Sequence, residues 1–360
     1  VLKITKLNRK HQKFLGELKM NKLKNLFITT ALLLMTMSNG LMAAHHGETE
    51  AHSGAIKVVH SGIPHDALFA IGMSGEVGMA VGNFGLMLET SDGGISWKLI
   101  EPLTKKALFG IASNETNEII VGQEGTVMTR KRGGDWTVTE SGLTERLLNV
   151  GMNASGLAVT VGEFGFMAKS GDAGATWERL SVDWEQFNDE GYEPHLYSAI
   201  VKDDGTILVS GEFGLIMKST DGGKTFSSKH RGDKGVFDVQ FSKEGDNVGY
   251  AVGQEGLVLK SLDDGETWET LSVDSTANLL GVWSGEGEVV ITGIRELLRS
   301  GDNGKTFTGT TDVAIGRTWY QGVAAGITEF EMMSGQRKVT MREQTIYIVG
   351  HQGSIAQVLH

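Results

Sequence analysis

Five carboxylates recur in one setting along the 360-residue chain, and they are its most chemically suggestive residues. They are Asp92 in TSDGGISW, Asp172 in SGDAGATW, Asp221 in STDGGKTF, Asp263 in SLDDGETW and Asp302 in SGDNGKTF. Carboxylates on glycine turns suggest calcium binding through hard oxygen ligands. They also suggest glycoside hydrolysis, which needs a carboxyl pair within about 5–10 Å. Neither fits aspartates that fall in five separate repeats and so cannot converge on one centre. A structural role fits better. Each carboxylate can accept backbone N–H groups across its own turn. Gly94, Gly174, Gly223, Gly265 and Gly304 take the positive φ that other residues resist. Trp97, Trp177, Phe226, Trp268 and Phe307 then bury a ring between neighbouring repeats. A sixth copy keeps Gly134 and Trp136 but has Lys131 where the aspartate belongs.

Other chemistry is bounded by composition. There is no cysteine, which excludes disulfides, thiol catalysis and thiolate metal sites. No cofactor is expected. The first 43 residues read as export machinery. Met20 opens the basic MNKLKN, an apolar run spans Leu26 to Met37, and SNGLMAA offers cleavage after Ala43 or Ala44. That run is too short for a stable membrane span, so no membrane anchor is expected after cleavage. Residues 1–19 form an upstream extension whose translation a start at Met20 leaves open. Residues 44–54 read as a flexible tail. Its His45 and His46 could hold Cu(II) or Ni(II) if cleavage follows Ala43, although no metal site is the preferred reading. Beyond residue 43 the chain holds 25 basic and 43 acidic residues, a formal net charge of −18. Such a surface repels phosphate backbones, and nucleic-acid binding is not expected.

The elements that position the turns recur as well. A glycine motif precedes each one: AVGNFGLML, IVGQEGTVM, TVGEFGFMA, VSGEFGLIM, AVGQEGLVL, the divergent ITGIRELLR and IVGHQGSIA. Its anchoring glycines are 82, 122, 162, 211, 253, 293 and 350, spaced 40, 40, 49, 42, 40 and 57 apart. A period of about 40 residues with several short strands per repeat is what a β-propeller blade requires. In the third unit the expected strands are Leu147–Asn153, Leu157–Glu163, Phe166–Ser170 and Thr176–Val182. The seventh unit ends at His360 without an outer strand, and AIKVVHSG (Ala55–Gly62) stands before the first without a blade. Pairing the two closes the ring and removes exposed sheet edges. The expected fold is therefore all-β: a seven-bladed propeller of four-stranded antiparallel blades over residues 55–360.

The turn matches the Asp-box pattern, Ser/Thr-x-Asp-x-Gly-x-Thr/Ser-Trp/Phe. Together with VGxxG before each box, the chain resembles the photosystem II stability/assembly-factor-like family of Asp-box (BNR-repeat) propellers. The resemblance covers about residues 55–360. It implies a non-catalytic protein-binding propeller. Phototroph members bind a reaction-centre subunit through a basic patch, and relatives elsewhere accompany envelope transporters. The expected role is thus a periplasmic or secreted scaffold for an envelope or membrane protein, a transporter among the options.

If the Asp boxes are scaffold, the opposite face is the place to look for a site. The residues after each VG differ between blades while the glycines repeat, as expected where surface is specialised. Candidate binding residues are Phe84, Glu124, Glu163, Phe164, Glu212, Phe213, Glu255, Arg295 and His351. In the sixth unit the pair is read as Arg295 and Glu296. Blade connections add Arg146, Arg231 and Arg317, and the long acidic loop DWEQFNDEGYEPH adds Trp184 and Tyr192. A second insertion, Ile327–Gln344, alternates Phe330, Met332, Val339 and Met341 with charge, and is expected as a hairpin on the Asp-box face. The competing expectation is a sialidase-like glycoside hydrolase or glycan-binding propeller. Its carboxylate-gripping arginines would come from Arg146, Arg231, Arg295 and Arg317, and its nucleophile from Tyr320 with Glu124 or Glu255.

Overall fold

The computed structural model describes residues 54–187, 191–242, 247–310, 312–334 and 337–359. The proposed leader and His45 and His46 lie outside the described residues. Alternating apolar and polar residues between glycine turns form seven four-stranded antiparallel sheets, six of them in simple meander order from the channel outward. The inner strands are Leu68–Ser74, Leu108–Ser113, Leu147–Met152, Leu196–Val201, Val236–Phe241, Leu279–Gly285 and Tyr320–Ser334. Among the described residues there are no α-helices, only short 3-10 turns.

The ring closes as the unpaired termini require. Ile56–His60 pairs antiparallel with Ile355–Val358, Ile56 opposite Val358, and supplies the outer strand of the last sheet. Outer strands elsewhere are shorter than the sequence suggests: in blade 3 only Glu178–Arg179 pairs, against Ala168 and Lys169. The preceding Thr176 is taken by the turn, where its backbone N–H donates to Asp172 Oδ1 at 2.9 Å.

The core lies between blades. Val121, Val127 and Leu147 pack with Trp177 beside them, joining blades 2 and 3. Val252, Val258, Leu279 and Ile291 do the same for blades 5 and 6, with Phe307 against them. Trp97 meets Tyr347 across the ring closure, ring centres 6.4 Å apart. Burying such clusters at about 25 cal/mol per Å² is what binds one blade to the next.

Each Asp box is built in the same way. In blade 3, Ser170 Oγ donates to Asp172 Oδ1 at 2.7 Å and accepts the Gly174 N–H at 2.8 Å. Thr176 Oγ1 donates to Asp172 Oδ2 at 2.6 Å, and Trp177 Nε1 donates to the Gly174 carbonyl at 3.0 Å. Asp92, Asp221, Asp263 and Asp302 repeat the arrangement. Hydrogen bonds from the threonine immediately before the ring, Thr267 and Thr306, hold Asp263 and Asp302 down at about 2. These carboxylates are spent on their own turns. Blade 2 solves the problem differently. Arg130 is buried between Glu118 and Glu89, 2.6 Å from the latter, with its guanidinium 4.6 Å from the centre of the Trp136 ring.

The 15-residue strand Tyr320–Ser334 and the 14-residue Arg337–Gly350 pair throughout, with Phe330 opposite Met341 and Met332 opposite Val339. The insertion is therefore a hairpin extending the inner pair of blade 7. Its base is tied to blade 1 by the Ile327 N–H, which donates to the Gly75 carbonyl at 3.0 Å.

Candidate functional site

The two faces separate cleanly. Asp-box turns sit against the hairpins between first and second strands: Gly93 N–H donates to Glu76 O, Ala173 to Gly156 and Asn303 to Gly287. The VGxxG turns sit instead against the blade connections. Gly125 N–H donates to Glu145 O, Gly165 to Pro194, Gly256 to Ala277 and Arg295 to Thr318.

Each VGxxG turn divides its two variable residues between two jobs. The first reaches back to the start of its own inner strand. Asn83 Oδ1 accepts the Ala67 N–H at 2.8 Å, Glu212 Oε2 accepts His195 at 2.9 Å, and Gln254 Oε1 accepts Gly235 at 2.7 Å. In blade 3 the same position, Glu163, pairs with Arg146 at 2.7 Å. His351 occupies it in blade 7, bridging Ala67 in the backbone and lying 6.1 Å from the Trp319 ring. Glu163, Glu212 and His351 thus have partners within the fold, a role that their sequence position does not reveal.

The second residue is displayed. Phe84, Glu124, Phe164, Phe213, Glu255, Arg295 and Gln352 all have left-handed backbone, φ between 49° and 60°. This conformation costs an L-residue about 1–2 kcal/mol, and glycine escapes the cost. None of the seven is glycine, asparagine or aspartate, the residues that tolerate it best. Phe84 is 66% exposed, Phe164 68% and Phe213 43%. In blade 6 the pair is Ile294 and Arg295, not Arg295 and Glu296. Glu296 stands where the other turns have their second glycine, and it accepts Ser275 Oγ at 2.7 Å. Ile294 is a candidate that sequence reading missed. It pairs with Trp319 and is exposed.

Blades 3 and 4 carry the densest part of the face. Phe164 stands edge-on to His195 with centres 4.8 Å apart, and Phe213 stands so to Tyr192 at 4.8 Å. Beside Phe164 opens a cleft of about 580 Å³ lined by Arg146, Glu163, Arg179, Trp184 and Glu193 among others. The long loop splits between the two uses weighed from sequence. Trp184 and Phe187 are buried against the blade 3–4 core, whereas Tyr192 remains exposed beside Phe213.

The remaining charges are dispersed. Glu124 pairs with Lys106 at 3.1 Å and Glu255 with Lys234 at 3.7 Å. Arg231, Arg295 and Arg317 are exposed on the blade 4–5 connection, blade 6 and the blade 6–7 connection. Tyr320 is 4% exposed within the cluster of Ile56, Trp283, Ile315 and Ile346. The structure does not bring it together with Glu124 or Glu255, which sit on the surface turns of blades 2 and 5.

The inner strands add a feature the repeats conceal. All seven have a bulge after their first residue, at Phe69, Phe109, Leu148, Tyr197, Phe237, Leu280 and Gln321. These residues line the entrance of the central channel, a cavity of about 210 Å³ just inside the VGxxG face. Phe69 lies 5.3 Å from Phe109, and Tyr197 lies 5.2 Å from Phe237.

No family model matches the chain, and no curated protein matches it by sequence. Solved structures do. YCF48 in a structure described as bound to a D1 peptide matches with a TM-score of 0.62 and 16% identity, over 86% of this chain and 96% of that one. YCF48 from Cyanidioschyzon merolae gives 0.63 and 17%, over 84% and 98%. The GH74 xyloglucanase from Xanthomonas campestris gives 0.60 and 14%, over 84% of this chain but 53% of its own. At these identities the likeness establishes a shared fold: the chain is a seven-bladed, four-stranded β-propeller.

Proposed function

We propose that the protein is a non-catalytic scaffold, acting in the periplasm or outside the cell, whose VGxxG face binds another envelope protein during assembly or operation of a membrane complex or transporter. One observation carries this reading. Seven turns hold large or charged side chains in a backbone state that favours glycine, and three of them are exposed phenylalanines. Strain retained at a surface position is a signature of use, and exposed aromatic residues suit the core of a protein interface. A ring of rigid turns presents these side chains at fixed separations, which lowers the ordering cost of association. The likeness to YCF48, a protein described with a bound D1 peptide, supports a peptide or protein ligand.

A photo-crosslinking amino acid placed at Phe164, with a control at the exposed Leu262 on the Asp-box face, tests the reading in intact envelopes. A discrete adduct from position 164 and none from 262 is the expected result. Adducts from 262 alone would overturn the choice of face.

A second reading, glycan binding or hydrolysis, has the likeness to the xyloglucanase in its favour, and exposed rings can also stack on sugars. Binding of xyloglucan oligosaccharides or a sialoside, lost in Phe164→Ala, would select it over the first.

A further inference from the structure

The central channel holds a carboxylate that has no ionic partner among the described residues. The residue after each bulge is Ala70, Gly110, Asn149, Ser198, Gly281 or Gly322 in six blades, and Asp238 in blade 5. Asp238 clasps its neighbours: Oδ1 accepts Ser198 Oγ at 3.1 Å and the Val239 N–H at 2.9 Å, and Oδ2 accepts the Val282 N–H at 3.1 Å. The clasp uses both carboxylate oxygens, but its bond to the next blade's N–H does not by itself need a charge. Two blades away, Asn149 Oδ1 accepts the Ala199 N–H of the next blade at 3.3 Å with a neutral amide.

Among the described residues the carboxylate has no counter-ion. No lysine, arginine or histidine is among the residues lining the cavity, whose walls come from the inner strands of all seven blades, although Arg146 outside it lies 6.0 Å from the centre of the Phe109 ring. The other titratable lining group is Tyr197, whose phenol burial, reinforced by Glu212, pushes up to about 12, so it stays neutral. Desolvation holds Asp238 up at about 6, against the lowering effect of its three hydrogen bonds. A carboxylate has about four acceptor positions, so room for another donor remains on Oδ2. Phe69, Phe109, Tyr197 and Phe237 line the same cavity. Aromatic faces attract cations, more strongly where water is excluded. The protein already uses this chemistry elsewhere, with Lys202 Nζ 3.7 Å from the centre of the Phe241 ring.

We propose that the central channel binds an alkylammonium group, with Asp238 as counter-ion inside the aromatic collar. Two sources share this chemistry: a free primary amine, or a lysine side chain of a docked protein. Only the second rests on the protein-binding reading above. The ammonium donates to Asp238 Oδ2 while its alkyl stem fills the collar, and the small cavity excludes bulky substituents near the nitrogen.

The test is binding of n-butylammonium to the full chain by ligand-observed NMR, with n-butanol and butyrate as neutral and anionic counterparts. The expected order is amine above alcohol, with butyrate absent, and about tenfold weaker amine binding at pH 5 than at pH 7.5. That ratio follows from the fraction of ionised carboxyl for a group titrating near 6. Asp238→Asn keeps one of the two accepting oxygens and sets an amide NH2 against a backbone N–H, so Tm should fall modestly while amine affinity falls at least tenfold. Phe237→Leu should weaken it several-fold. N-acetyl-lysine methylamide separates the sources. If it competes with butylammonium, a lysine side chain fits, and if it does not, the site takes free amines. Binding of butanol equal to that of the amine, or full amine binding by Asp238→Asn, would overturn the proposal. It can fail while the crosslink from position 164 succeeds, so the two readings are separable.

Discussion

Both faces of the ring contain a tight turn with a left-handed residue in successive blades, yet they fill it oppositely. On the Asp-box face the first such position is Gly93, Gly133, Ala173, Gly222, Asp264 or Asn303. These are small residues or the ones that tolerate the conformation. On the VGxxG face it is Phe84, Glu124, Phe164, Phe213, Glu255, Arg295 or Gln352. The backbone problem is the same and the stable answer is present in the same molecule. The difference marks one face as built for stability and the other for what it displays. A repeated motif is thus a poor guide to a functional site, and the variable residue inside a repeated motif is a better one.

The comparison can be broken on its scaffold side first. Replacing both Glu118 and Glu89 by alanine would strand buried Arg130, 8% exposed against Trp136. Leaving one member of a buried pair unpartnered costs about 3–5 kcal/mol, which thermal unfolding would register as the largest fall in Tm. Ser219→Ala comes next. Its hydroxyl, on a residue 2% exposed, serves both Gly223 N–H and Asp221, and a buried donor left unpaired costs about 1–3 kcal/mol. Neither variant should alter partner capture below its Tm.

Acid probes the same turns with a smaller effect per residue. The folded carboxyls of Asp263 and Asp302 titrate at about 2 because threonine donors stabilise their charged form. Their pKa is depressed relative to about 3.9 in the unfolded chain. Their contribution is therefore complete above that value and is lost as pH falls towards 2. Tm should drop across this window in the wild type, and the drop should be shallower in Asp263→Asn.

The smallest stability effect belongs to the display face. Phe84→Gly removes a left-handed side chain worth about 1–2 kcal/mol of strain and adds glycine's entropic cost of about 0.5–1 kcal/mol. Unfolding should show Tm unchanged or slightly raised. A clear fall would mean that Phe84 is scaffold after all.

Much of this was legible in the sequence. The spacing of glycines 82 to 350 specifies the blades, and the unpaired Ala55–Gly62 strand specifies the closure. The division of labour within VGxxG was not legible. Asn83 and Glu212 act on backbone groups 16 and 17 residues earlier, a contact that only the folded hairpin creates. The bulges were hidden for a similar reason. Phe69, Phe109 and Phe237 follow an apolar residue directly, and two adjacent apolar residues look alike in sequence, whether one is paired and the other bulged or both lie in a regular strand. Blade 6 misled because Glu296 replaces the closing glycine, which shifted the apparent register of the turn by one residue. The 57-residue spacing, by contrast, announced the blade 7 hairpin openly, since a longer repeat with preserved alternation has few other forms.

The central claim is that display residues on the VGxxG face carry binding at the expense of stability. The triple variant Phe84→Gly, Phe164→Gly, Phe213→Gly tests it most directly, with Tm and partner capture from a native envelope extract measured on the same preparation. A Tm at or near that of the wild type together with at least a tenfold loss of capture is the predicted result. Undiminished capture, or a Tm fall as large as that of Ser219→Ala, would contradict it.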